Sequence, residues 1–373
     1  MRPPLTFSFY IGRHFMLAIA LALAVVLAVV ELIDLVELLR RLSGKEGVPA
    51  GAVIEMVLLK LPYMAETFLP YGVLIGGILA LTRLTRSQEL VVARASGISV
   101  WQFLAPLMAL GVLLGALSIT VLNPLAAAMI SRYEQLEGRY IAGRPSLLTI
   151  SASGLWLRQR ESAAAVIEDK TVEEYILRAQ RISQSDMSFS NVTVFTFGGN
   201  DAFVARIDAQ QARLGNGYWE FTDATISAPG LMPEHQPLYH LPTKLEISEI
   251  RDSFAEPRTL SFWQLSRFIK TLEDAGFDAL RHKVYWHATL ALPLMLLGMV
   301  LLAAVFSLRM PRKGRLSLMV LGALVAGFVL FFLVNLFHAF GYSGSLPVAL
   351  SAWAPPGILI MSALAALLHL EDG

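Results

Sequence analysis

"RSQELVVARASGIS", residues 86–99, is a charged island between two long apolar stretches. It carries Arg86, Glu89 and Arg94 and reaches a turn residue at Gly97. A bilayer core about 30 Å thick takes roughly 20 apolar residues in a helix. The flanking stretches, 64–81 and 100–122, read as two such helices, so 86–99 reads as the short polar loop between them. That reading decides the fold, because it makes the chain a membrane protein and gives the loop a side.

Working outward, three further stretches qualify as spans: 287–308, 316–340 and 347–370. The first hydrophobic stretch is less simple. Residues 15–30 are unbroken, but Glu31, Asp34 and Glu37 follow before Arg40 and Arg41. We read 10–42 as one long helix whose last third is polar on one side, which makes six spans. A cleaved signal peptide is the competing reading of this end. The apolar core is too long for it, and the helical pattern runs on. Composition agrees with a membrane chain: of 373 residues 55% are hydrophobic and 16% charged, against about 25% charged in soluble proteins. The net charge of +1 and the lack of a basic block give no sign of nucleic-acid binding. Cysteine is absent, which excludes disulfides and thiolate metal sites.

Basic residues in short loops set orientation. Arg2 and Arg13 precede the first span; Arg83, Arg86 and Arg94 lie between spans two and three; Arg309, Arg312, Lys313 and Arg315 lie between spans four and five. All three sets share one side if both termini are cytoplasmic. Residues 341–346, between spans five and six, have no Lys or Arg. Arg40, Arg41 and Lys45 run against the trend. So do Arg281 and Lys283, beside a long loop where the rule is weak.

Between spans three and four, residues 126–258 have an ordinary soluble composition. Runs such as "GLWLRQR" (154–160), "NVTVFTF" (191–197), "AFVARIDAQQARL" (202–214) and "GYWEFTDATIS" (217–227) alternate with Gly, Asn and Pro clusters. This is the pattern of an antiparallel sandwich or jelly roll. Residues 259–280 read as an amphipathic connector helix, with Thr259 or Ser261 as cap and Gly276 near its end. The expected architecture is spans one to three (1–125), an all-β domain (126–258), the connector, and spans four to six (281–373).

Little in the sequence points to catalysis. "SGKEG" (43–47) lacks the upstream glycine and the Ser/Thr of a P-loop. No HExxH and no nucleophile elbow occur, and the seven histidines are scattered. His338 near Asn335 suggests a proton relay or, more simply, polar residues bonded to a neighbouring helix. The stripe on span one says more. Glu31, Asp34, Arg41 and Lys45 fall within an arc of about 80° at 100° per residue, and charges on a membrane helix face a cavity or partner. Glu37 and Arg41, four apart, can pair. The arginines alone could simply snorkel to the interface. Basic groups at the mouth of a cavity could also hold phosphates. The 86–99 segment, drawn as a helix over about 84–97, places Leu84, Val91, Val92 and Ala95 on one face, with Leu90 and Ala93 among the charges. It reads as an interfacial helix or as a docking helix gripped by a soluble ATPase, which the chain itself lacks.

Several stretches resemble a known family. "YIGR" (10–13), "RSQELVVARASGIS" (86–99), the run from "GLWLRQR" through "FVARIDAQQARLGNGYWEFTDATI" and "SFWQLSRFIKTLEDAGFDALRHKVYWHATLALPLMLLGMVLLAAVFSLR" (261–309) are similar to the LptF/LptG permeases of lipopolysaccharide export. The last resembles the LptG branch of that family specifically. The resemblance implies six spans around a periplasmic jelly roll in the bacterial inner membrane. It implies an LptF-like partner permease, an LptB-like ATPase dimer that hydrolyses the ATP, an LptC-like single-span protein and an LptA-like periplasmic bridge, with no cofactor of the chain's own. It assigns ATPase coupling to Arg86, Glu89, Leu90, Arg94 and Gly97, with Glu89 as the acidic contact. It assigns lipid contact to Arg40 and Arg41, and we group Lys45, Asp34 and Arg132 with them. One departure stands out: family members also carry a lysine deeper in the first helix, where this chain has Asp34. Either the cavity chemistry differs, or Asp34 pairs with a cation on a neighbouring subunit. The rival readings are an ABC permease for lipid or lipoprotein release, which has four spans with its domain after the first, and a proton-coupled transporter, which needs buried titratable groups in several spans.

Overall fold

The computed structural model describes the chain except residues 1–4, 44–47, 90–91, 93–94, 143–147, 152–153, 168–169, 184–187, 200–201, 216, 244–255, 275–277, 309–315 and 372–373. It divides into two compact units: Met1–Ala142 with Pro257–Trp263 and Leu280–Gly373, and Gly143–Glu256 with Gln264–Ala279.

The first unit is a helix bundle. Helix α1 is Leu5–Leu42, α2 Ala50–Arg86 and α3 Val100–Leu117. A π-turn at Ser118–Leu122 joins α3 to α4, Asn123–Glu137, and a second π-turn follows at Gly138–Ala142. After α5, Phe262–Asp274, come α6, Leu280–Leu308, α7, Leu316–Tyr342, and α8, Val348–Glu371. Among the described residues six segments are long and apolar enough to cross a membrane. The protein is a multi-pass membrane protein, with three spans on each side of the sheet domain.

Glycines set the closeness of the bundle. A Cβ on Gly76 of α2 would lie 2.5 Å from the Ile19 Cα of α1, and one on Gly115 of α3 would lie 2.5 Å from the Pro293 Cα of α6. Lipid is as apolar as leucine, so close packing through small residues is what holds such helices together. Phe15, Val73, Leu81, Phe103, Leu107 and Met299 fill the shared core.

Two elements are longer than hydropathy alone suggests. Helix α2 begins at Ala50, not near residue 64, and α4 carries the third span on through 137. The sheet unit therefore begins at 143, not 126. The polar composition of 126–142 reads as soluble, yet Ala126, Ala127, Ile130, Tyr133 and Leu136 recur at helical spacing and are buried. Ile130, Tyr133 and Leu136 pack with Leu38, Leu42 and Met56 in a core of their own. The far ends of α1, α2 and α4 thus form a small three-helix extension of the bundle.

The second unit is one antiparallel seven-stranded sheet in the order β1 to β7. The strands are β1 Leu148–Ser151, β2 Gly154–Ile167, β3 Lys170–Ser183, β4 Ser188–Gly198, β5 Ala202–Leu214, β6 Tyr218–Ser227 and β7 Glu234–Pro242. It is the jelly-roll-like domain expected, with its strands in sequential order. Alternation directs Leu157, Leu177, Val194, Ile207 and Phe221 inward. Bulges between Arg160 and Ala165 and between Thr196 and Phe197 add twist. The ends of the sheet meet through buried polar groups. The Tyr175 hydroxyl bonds to Gln159 and lies 2.8 Å from Thr243 Oγ1, Thr243 donates to Gln159 at 3.1 Å, and Trp219 Nε1 donates to the Tyr175 oxygen at 3.0 Å. Satisfied buried networks of this kind rigidify a fold. Leu272 of α5, with Phe268 and Ile269, packs on the same core.

Candidate functional site

Three features of the helix unit carry the candidate chemistry: the loop 87–99 at one end, a polar cluster at the other, and an apolar groove between.

Helix α2 stops at Arg86, and Gln88 adopts φ 61. A side chain other than glycine takes that conformation rarely, so the break is built in. Helical residues resume at Glu89, Val92 and Ala95. Gly97, at φ 85, ends the segment in the left-handed conformation that glycine favours. Ser99 then starts α3 with a capping box: its Oγ accepts from Gln102 N at 3.3 Å, and Gln102 Oε1 accepts from Ser99 N at 3.0 Å. Arg86, Ala95 and Gly97 are exposed, and Val92 is 64% exposed. Glu89 accepts from Ser87 Oγ at 2.8 Å and lies within electrostatic reach of Tyr10. That proximity sets the start of α1 and this loop at the same end of the bundle. The face drawn from sequence is revised: Leu84 belongs to α2 and is buried, whereas Val92 projects outward. Leu90, Val91, Ala93 and Arg94 lie outside the described residues.

At 1.5 Å per residue, Glu31 stands about 30 Å along α1 from Tyr10, and Lys60 about 39 Å along α2 from Arg86. The charged end of α1 therefore begins where a hydrocarbon core of about 30 Å ends. Asp34 pairs with Lys60, which also sits 5.0 Å from the Tyr133 ring centroid. Asp34 thus faces a cation within this chain, on α2. Glu31 lies within electrostatic reach of both groups, and neither of its oxygens has a hydrogen-bond partner among the described residues. Arg40 forks onto Glu37 at 2.9 and 3.0 Å. Arg41 bonds Glu37 at 3.0 Å, as its four-residue spacing suggests, and Glu137 at 3.3 Å. Both arginines stay exposed, at 76% and 51% of the side chain. Arg132 faces Glu55 at 3.6 Å on the same extension. Lys45 lies outside the described residues.

Sequence reasoning missed Lys60. The signal was present, since Lys60 is the single basic residue between 50 and 82. Removing it should leave two carboxylates facing each other. We expect Lys60→Met to lower stability by up to about 3 kcal/mol, the lower end for breaking a buried pair, and Asp34→Asn to restore most of it. Thermal unfolding of the purified single and double variants checks this; an unchanged Lys60→Met protein would contradict it.

The groove lies between α1, α2 and α7. It has a volume of about 390 Å³ and is lined by Val26, Leu74, Ile78, Phe328 and Phe331 among others. Its walls suit alkyl chains. On α7, Asn335 turns back to its own helix, donating to the Phe331 carbonyl at 2.8 Å.

Comparison with known proteins gives a consistent answer. The family model described as "Lipopolysaccharide export system permease LptF/LptG" matches residues 9–369. The chain is 23% identical over 365 residues to the lipopolysaccharide export system permease protein LptG of Escherichia coli (strain K12), covering 95% of this chain and 96% of that protein. It is also 23% identical over 342 residues to the LptG of Haemophilus influenzae, covering 88% of each.

Proposed function

We propose, from the premise that the chain belongs to the lipopolysaccharide export permease family LptF/LptG, that it is the LptG-type subunit of an ATP-driven lipopolysaccharide extractor. The observation that supports this most is the reach of the match: residues 9–369 take in the loop, the groove, the charged end and the sheet domain together. In this reading the loop end, with its arginines, faces the cytoplasm, and the sheet domain is periplasmic. The chain pairs with an LptF-like permease. An LptB-like ATPase dimer grips residues 87–99 and supplies the ATP chemistry. An LptC-like single-span protein and an LptA-like bridge receive the lipid.

The physics sets the division of labour. Exposing buried methylenes costs about 0.8 kcal/mol each, so one acyl chain of a dozen carbons costs roughly 10 kcal/mol to lift from the bilayer. Equilibrium escape is negligible, and a rigid lever must deliver work to the groove. Segment 87–99 is continuous with α2 on one side and α3 on the other, and α2 lines the groove. Phosphates of the lipid meet Arg40 and Arg41, whose five N–H donors each are only partly used by Glu37 and Glu137. Replacing both arginines with glutamate is expected to lower lipopolysaccharide cross-linking to α1 severalfold. Unchanged cross-linking would leave the pair as plain interfacial arginines.

Purification from the native membrane tests the reading. It expects an ATPase and a second six-span permease to co-purify with the chain; recovery of the chain without either would overturn it.

A further inference from the structure

A second cavity of the helix unit, of about 370 Å³, lies between α2, α6, α7 and α8. We propose that it is a site for the primary ammonium group of a membrane lipid.

The lining is aromatic and acidic. Among the described residues Glu66 is its one carboxylate, and no Lys or Arg lines it. Tyr63, Tyr71, Tyr285, Phe331 and Tyr342 line the same space. Glu66 Oε1 is held by Asn123 Nδ2 at 2.9 Å, and Asn123 is fixed in turn, accepting from the Phe262 amide at 2.7 Å. Glu66 Oε2 has no hydrogen-bond partner among the described residues. A buried acceptor left unmade carries a large penalty, and an anionic one calls for a cation. The terminal carboxylate torsion is soft, so Oε2 can turn toward a group in the cavity.

Aromatic faces around a carboxylate are what recognise an ammonium ion. An anion would meet the Glu66 charge, and the described lining offers it no Lys or Arg, only the His338 imidazole. The volume exceeds ten times the ~30 Å³ share of a liquid water, so it admits a headgroup and not merely a solvent molecule. Leu292, Met295 and Val334 supply an apolar wall for the attached chain. Glu66 also stands about 30 Å along α2 from Arg86, at the level where the hydrocarbon core ends and headgroups begin. Charge, rings and height therefore agree on an amine-bearing headgroup at the far leaflet.

Two lipids could supply the ammonium: a phosphatidylethanolamine of the bilayer, or a lipopolysaccharide decorated with ethanolamine on its phosphates. Binding of each to the purified full-length chain in detergent separates them. The probes are dioleoyl-phosphatidylethanolamine, its N-acetyl derivative, and lipopolysaccharide with and without the ethanolamine substituent. At least one amine-bearing probe should bind ten times or more tightly than its amine-free counterpart. Glu66→Gln keeps the Asn123 contact and should erase that preference while leaving amine-free binding unchanged. Tyr342→Leu, which leaves the carboxylate in place, should weaken the amine-bearing probe severalfold. Equal binding of both members of each pair, or a preference that survives Glu66→Gln, would overturn the assignment.

Discussion

Glu89→Lys is expected to abolish lipopolysaccharide export while the chain still folds and inserts. Glu89 is a helical residue between α2 and α3 and is half-buried. Its carboxylate accepts from Ser87 and lies within electrostatic reach of Tyr10. Surface substitutions of this kind rarely disturb a fold. Reversing a charge at a desolvated contact with a partner, by contrast, costs about 2–5 kcal/mol, or roughly thirtyfold and more in affinity. The measurement is complementation of a strain depleted of the wild-type chain, with the recovery of the ATPase on the purified variant. Ser87→Ala removes the local bond and Tyr10→Phe the neighbouring hydroxyl; both spare the charge, so they should complement. Normal export by Glu89→Lys would contradict the coupling role. Export lost equally in Ser87→Ala would make Glu89 a local brace instead.

Gly76→Val should have the largest effect on the fold. The α1 backbone lies so close that a Cβ on residue 76 would meet Ile19 Cα at 2.5 Å and Ile19 N at 2.6 Å. A side-chain clash relaxes by rotation; a clash with backbone moves a helix. Overpacking typically costs about 1–3 kcal/mol, and this position belongs at or above that range. The groove should open as well, because Leu74 and Ile78 flank Gly76 on the same helix. Gly357→Ala is the control, since nothing lies within 4 Å of its added Cβ. Yield and melting temperature in detergent report both. A Gly76→Val protein with wild-type melting would mean that α1 and α2 do not pack through this glycine.

The membrane architecture was readable because 18- to 25-residue apolar runs have few other uses. The sheet was readable from period-two alternation between turn residues. What hydropathy could not show was where helices continue past their apolar runs. The 126–142 stretch has helical spacing but polar composition, and a window tuned to apolar runs ends the span at Leu122. The charged stripe on α1 was visible, but its partners were not. Lys60 is 26 residues from Asp34, and only the antiparallel pairing of α1 with α2 brings them together. Asn123 joins Glu66 to the Phe262 amide across 57 and 139 positions, a distance that local pattern does not span. Of the segment 86–99, drawn as a helix from its sequence, the described residues Glu89, Val92 and Ala95 are helical. Its break at Gln88 depends on a backbone conformation that the residue type does not announce.

The central proposal, that this chain is the permease half of an ATP-driven lipopolysaccharide extractor, is tested most directly in proteoliposomes. They would contain this chain with the second permease, the ATPase and the single-span protein purified beside it, loaded with lipopolysaccharide and supplied with soluble bridge protein. The predicted result is ATP-dependent transfer of lipopolysaccharide to the bridge, lost when this chain is omitted or carries Glu89→Lys. Full ATP hydrolysis with no transfer of lipopolysaccharide, or transfer that continues without this chain, would contradict it.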